Sequence, residues 1–155
     1  MLETLIYTFL LSISPFGEAR VGIPYGILND IHIVWVFMIG LVGNLLIFPV
    51  FMWLINTFDK KLWPFRPYKK GVLFLSKRAK KGINIEKNKQ FGFFALMLFV
   101  MVPFPGTGAY MGTIAAFVTK MERKRAFVAV SLGVLISCII MTVGAHLGNI
   151  GLDLL

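Results

Sequence analysis

Residues 91–119 carry no charged side chain, yet basic clusters flank them on both sides, in residues 60–89 before and 120–125 after. Lys/Arg-rich segments beside apolar spans stay on the cytoplasmic face of a membrane. A run bounded by two such clusters therefore has to enter the bilayer and leave on the side it entered. Two full crossings take about 40 residues, and the run is shorter than that. Its middle is Pro103-Phe104-Pro105-Gly106-Thr107-Gly108. A proline has no N–H for the helix ladder and clashes with the preceding turn, so a helix cannot pass through. The segment predicts a re-entrant hairpin with arms at about 91–102 and 109–119.

The N-terminal third is interrupted in a similar way, at Ser14-Pro15-Phe16-Gly17-Glu18-Ala19-Arg20-Val21-Gly22-Ile23-Pro24. Residues 4–17 and 19–28 flank the break as short apolar arms, each too short for a bilayer core of about 30 Å. Together they read as one broken span or as a second re-entrant hairpin. An ionised group at bilayer depth costs roughly 2.5–3.5 kcal/mol on insertion scales, so it faces a polar cavity and carries function. Glu18 and Arg20 are such groups. Residues 31–58 and 126–152 are uncharged and long enough to cross. Trp35, Trp53 and Trp63 lie toward the ends of the first span, as in an interfacial belt.

Composition agrees with a membrane protein. Of 155 residues, 57% are hydrophobic and only 15% charged, with a mean hydropathy of +0.80. The net charge of +9 is concentrated, with eleven of sixteen basic residues in 60–89. Nucleic-acid binding, the usual alternative for such a charge, does not suit so apolar a chain. The expected fold is an all-α integral membrane protein, with two transmembrane helices and two re-entrant helical hairpins in an inverted repeat. It reads as a single membrane domain, with repeats at 1–58 and 91–155 joined by a basic connection at 59–90. The connection and residues 120–125 are expected on the cytoplasmic side of the plasma membrane. Within the connection, Tyr68, Val72, Leu75 and Ala79 recur at helical spacing among basic residues. This fits a basic amphipathic helix on anionic headgroups or a solvated loop that fixes topology. The N-terminus, with Glu3 and no basic leader, reads as no signal peptide.

A shift of 90 residues pairs Pro15 with Pro105, Gly22 with Gly112, Phe37 with Phe127 and Gly43 with Gly133. The identities are few, and the shared plan of short arm, Pro/Gly tip, short arm and long span carries more weight. The first long span ends at a basic cluster and the second begins at one, so the repeats run in opposite directions. Secondary transporters use this plan to build a midplane site from broken helices.

Each second arm starts at a tip, so two helix N-termini point toward the midplane, where free N–H groups favour an anion. Arg20 adds a charge with forked geometry for phosphate or carboxylate. Thr107 adds a hydroxyl. Glu18 is placed either to close the tip as an ion pair with Arg20 or to take up and release a proton during transport. Gly17, Gly106, Gly108 and Tyr110 complete the expected substrate-binding set. Pro15, Pro24, Pro103 and Pro105 shape the tips. Asn44, mid-span, reads as an interhelical hydrogen bond or a substrate contact. His146 reads as interfacial or as a proton relay. Cys138 reads as a packing residue. No motif for hydrolysis, metal or cofactor is present, so an enzyme is not expected.

Gly17-Glu18-Ala19-Arg20-Val21-Gly22-Ile23-Pro24-Tyr25-Gly26 resembles the Glu-x-Arg-Gly-x-Ile-Pro-x-Gly signature of the small multidrug export family. Val21 stands where that family more often has glycine. Pro103-Phe104-Pro105-Gly106-Thr107-Gly108-Ala109-Tyr110 resembles its second signature. The family looks like a short relative of the DedA, or VTT-domain, superfamily, in which opposed re-entrant hairpins serve lipid movement. The resemblance implies a flippase or transporter for a phosphate-headed lipid or other anionic amphiphile. The alternatives are a cationic-drug exporter using Glu18 and a passive lipid scramblase. Membrane lipids are the expected partners. Short arms that must pack against something imply a homo-oligomer, most simply a dimer.

Overall fold

The computed structural model describes residues 2–62, 89–103 and 107–153, all helix and short connections. The helices are α1 (Leu2–Ile13), α2 (Glu18–Leu28), α3 (Ile33–Leu62), α4 (Lys89–Met101), α5 (Ala109–Val118) and α6 (Arg123–Asp153). The expected arms and spans match these within a few residues. The proposed amphipathic helix at 68–81 lies outside the described residues.

Among the described residues, two helices are long and apolar enough to cross a membrane. Ile33–Thr57 has 25 residues at mean hydropathy 2.4, and Arg123–Gly151 has 29 at 2.6. Their outer faces are apolar as well. Val34, Trp35, Val50 and Trp53 on α3 and Val143 and Leu147 on α6 are all exposed. An apolar surface of this extent is a liability in water and ordinary in lipid.

α1 and α2 form a tight antiparallel pair, with contacts running from Gly17 against Leu11 to Gly26 against Thr8. The approach is close because the facing residues are small. A Cβ on Gly22 would overlap the Ser12 hydroxyl and lie 2.8 Å from the Thr8 carbonyl oxygen. The hydroxyls on this face donate back into their own helix, Thr8 to Thr4 O at 2.8 Å and Ser12 to Thr8 O at 2.7 Å. The seam is thus close-packed with these polar atoms satisfied. Pro24 does not break α2, which resumes at Glu18 and runs through it to Leu28. The interruption lies wholly in residues 14–17.

The 90-residue spacing recurs in the backbone. After α2, Asp30 N–H donates to Ile27 O and Ile31 N–H to Gly26 O. After α5, Lys120 N–H donates to Phe117 O and Met121 N–H to Ala116 O. Both corners are Schellman motifs, with Asp30 at φ 58° and Lys120 at φ 54°. The next helix opens alike in both, Val36 N–H to His32 O and Ala126 N–H to Glu122 O. The paired glycines recur too. Gly22 and Gly43 both close on Ser12, and Gly112 and Gly133 both close on Val100. Each half therefore clamps one residue of its first short helix between two glycines. A lysine in the left-handed region is strained, whereas glycine is at home there. Lys120→Gly should therefore raise the thermal midpoint of the solubilised protein, by roughly 0.5–1 kcal/mol of stability.

Candidate functional site

The two interruptions meet. Glu18, the first residue of α2, is buried, and its φ of 53° places it in the left-handed region. Such a conformation costs on the order of 1–3 kcal/mol and persists only where its surroundings enforce it. Its carboxyl reaches the other half of the chain. Tyr110 N–H, in the first turn of α5, donates to Glu18 Oε1 at 3.3 Å. Gly108, the N-cap of α5, supplies no side-chain cap of its own. A Cβ on Gly108 would fall inside the Glu18 carboxyl group. A carboxylate from α2 thus caps α5, where the helix dipole favours negative charge.

Arg20, two residues further on in the first turn of α2, does the complementary thing. Its Nη2 donates to Val102 O at 3.0 Å and to Val100 O at 3.4 Å. These carbonyls belong to the last turn of α4 and the residue beyond it, where carbonyls lack helical partners and a cation is favoured. Glu18 and Arg20 are near enough to interact electrostatically. The pair therefore bridges the second break, with the anion at the helix that begins and the cation at the helix that ends. Thr107 donates its hydroxyl to the same Val102 carbonyl at 2.8 Å, tightening the turn. Tyr110 donates its hydroxyl to Ile13 O at the end of α1 and packs its ring edge-on against Phe51, with centroids 5.0 Å apart.

A cavity of about 300 Å³ opens over this junction, lined by Glu18, Arg20, Pro103, Gly108, Tyr110 and Met141 among others. Behind it, Glu18 and Arg20 also border a space of about 10 Å³ beside Asn44 and Cys138, room for about one water. Among the described residues no cluster of His, Cys, Asp or Glu has the makings of a metal site.

Over residues 18–140 the chain matches the family described as "Putative small multi-drug export protein". The chain belongs to this family. The match begins at Glu18, just after the first interruption, and takes in α2, α3, the second interruption and α6 as far as Ile140. No curated protein and no solved structure matches the chain.

Of the residues that the sequence nominates, this family member brings Pro15, Gly17, Glu18, Arg20, Pro103, Gly108 and Tyr110 to one cavity. Thr107 adjoins them through Val102. Pro105 and Gly106 lie outside the described residues. Pro24 lies well inside α2, away from the tips. Asn44 borders only the small inner space, and its side-chain N–H groups are committed to Ser12 O at 3.1 Å and Gly40 O at 2.9 Å. It ties α3 to the end of α1, the interhelical bond that a mid-span asparagine favours. The sequence does not point to the Val100 and Val102 carbonyls, to Met141 or to Phe51. Backbone acceptors have no residue signature, and Met141 and Phe51 read as ordinary apolar positions of the long spans.

Proposed function

We infer that the junction of the two tips is a transport site for the anionic head of an amphiphile. The family is named for export, and transport is the coarse activity that it implies. The observation that carries the finer reading is the Glu18 carboxyl on the N-terminus of α5, flanked by the Arg20 guanidinium. This is an anion site already holding an anion, the protein's own. A substrate phosphate or carboxylate has the charge and acceptors to take that place. Arg20 exchanges its carbonyl contacts for the fork that such a group prefers. Protonation of Glu18 weakens its hold on the helix N-terminus and opens the place, so a proton and an anion move together.

The recurrence of corner bonds and glycine clamps at 90 residues supports reading the halves as an inverted repeat of re-entrant hairpin and span. The same plan puts the junction near the bilayer midplane, with the basic connection on the cytoplasmic side. Lipids with phosphate heads are the natural partners, and a homodimer fits the short, partly exposed arms.

A second reading follows from the family's name, export of cationic drugs with Glu18 as the counter-charge. The guanidinium beside Glu18 disfavours it, since a cation entering there meets like charge. Glu18→Gln separates the two in proteoliposomes. It keeps an acceptor for Tyr110 N–H but cannot cycle a proton. The anion reading expects uptake of a fluorescent phosphatidylglycerol to lose its response to an imposed pH gradient. If the variant instead loses only transport of a cationic dye such as ethidium, the drug reading holds.

A further inference from the structure

A larger cavity lies elsewhere, between the second half of α3 and the first turns of α6. Its volume is about 650 Å³, and it shares no lining residue with the cavity at the tips. One wall is apolar. Phe48 and Phe127 meet there at a centroid distance of 5.6 Å, and Trp53 stands beside them, 67% exposed. The other wall is polar and cationic, formed by Asn56, Arg123 and Lys124. Of the three basic residues that open α6, Arg125 is paired with Glu122 at 3.2 Å. Among the described residues neither Arg123 nor Lys124 has an ion-pair partner.

The volume falls within the range of small-molecule sites, about 300–1,000 Å³. The chain itself is a poor source of the missing charge. Residues 59–88 contain ten basic side chains and two acids, Asp59 and Glu86, so the net charge of this segment is of the same sign as the cationic wall. The cavity lies between the two helices long enough to cross a membrane, and a tryptophan stands at its rim, as at a lipid–water interface. We propose that the α3–α6 cavity binds an anionic phospholipid, with the phosphate on Arg123 and Lys124 and the upper acyl chain along Phe48 and Phe127. Asn56 uses its Nδ2 on Met52 O, which leaves its carbonyl oxygen for a headgroup hydroxyl. The site stands whether or not the tips transport anything.

Trp53 is the reporter. With Trp35→Phe and Trp63→Phe in place, its fluorescence is followed in nanodiscs containing brominated phosphatidylglycerol or, at equal mole fraction, brominated phosphatidylcholine. Stronger quenching by phosphatidylglycerol is expected. Arg123→Gln with Lys124→Gln should lower that preference by up to about 25-fold, each basic side chain near an anionic surface being worth about fivefold. Both residues are exposed, so the substitutions leave packing untouched. Arg20→Gln should leave the preference unchanged. Equal quenching by the two lipids overturns the proposal. So does a preference that survives the double substitution, which assigns it to the basic connection. Relief of quenching by millimolar glycerol phosphate also overturns it, by assigning the site to a free anion.

Discussion

Gly108→Ala is expected to destabilise the protein and abolish transport together. The added methyl has no place to go, because the Glu18 carboxyl occupies that position and is fixed by the left-handed backbone at Glu18 and by Tyr110 N–H. Overpacking at a well-fitted position costs roughly 1–3 kcal/mol. Displacing the carboxyl also uncaps α5, for about 1 kcal/mol more. Thermal unfolding of the solubilised protein reads the sum. The diagnostic is the pair. In Glu18→Gly the cavity is open, so adding Gly108→Ala to that background should cost much less than in the wild type. The difference is the coupling that a double-mutant cycle isolates. If alanine at this position costs the same with and without the carboxylate, the two tips do not touch as described.

Arg20→Ala has the second large effect, and it acts on structure and function at once. It strands the carbonyl of Val100 in the last turn of α4, while Val102 O keeps the Thr107 hydroxyl. A buried acceptor left without a partner costs about 1–3 kcal/mol. It also leaves Glu18 without its neighbouring cation. Arg20→Lys divides the two roles. A lysine ammonium can still donate to those carbonyls and balance Glu18, so most of the stability should return. It lacks the planar fork that grips a phosphate or carboxylate by two bonds, so transport should stay at least tenfold down. If lysine restores both, Arg20 serves only as a cap.

Much of this was legible in the residues. The break at 102–108 is written in two prolines and two glycines, and the arms around it fall within one or two residues of α4 and α5. The long spans follow from runs without charge. The match of Gly22 with Gly112 and of Gly43 with Gly133 is visible as spacing, but what the two glycines of each half grip is not, because Ser12 and Val100 share no chemistry. Pro24 looks like part of the break and is not, since α2 is long enough to absorb one missing N–H two turns in. The deepest gap concerns Glu18. Sequence places it beside Arg20 and invites a simple ion pair. The carboxyl also reaches Tyr110, 92 positions away, because α5 begins with four dipole-bearing N–H groups and no side-chain cap. Acceptors and donors of the main chain decide that geometry, and they are the same for every sequence.

The most direct test is movement of a fluorescent phosphatidylglycerol across proteoliposomes, with the labelled lipid in the inner leaflet read by dithionite quenching. Wild type should transfer the lipid between leaflets, and Arg20→Ala, inserted to the same level with the same helix content, should fall to the protein-free rate. Undiminished transfer by the Arg20→Ala protein would contradict a site built on that guanidinium at the meeting of the two tips.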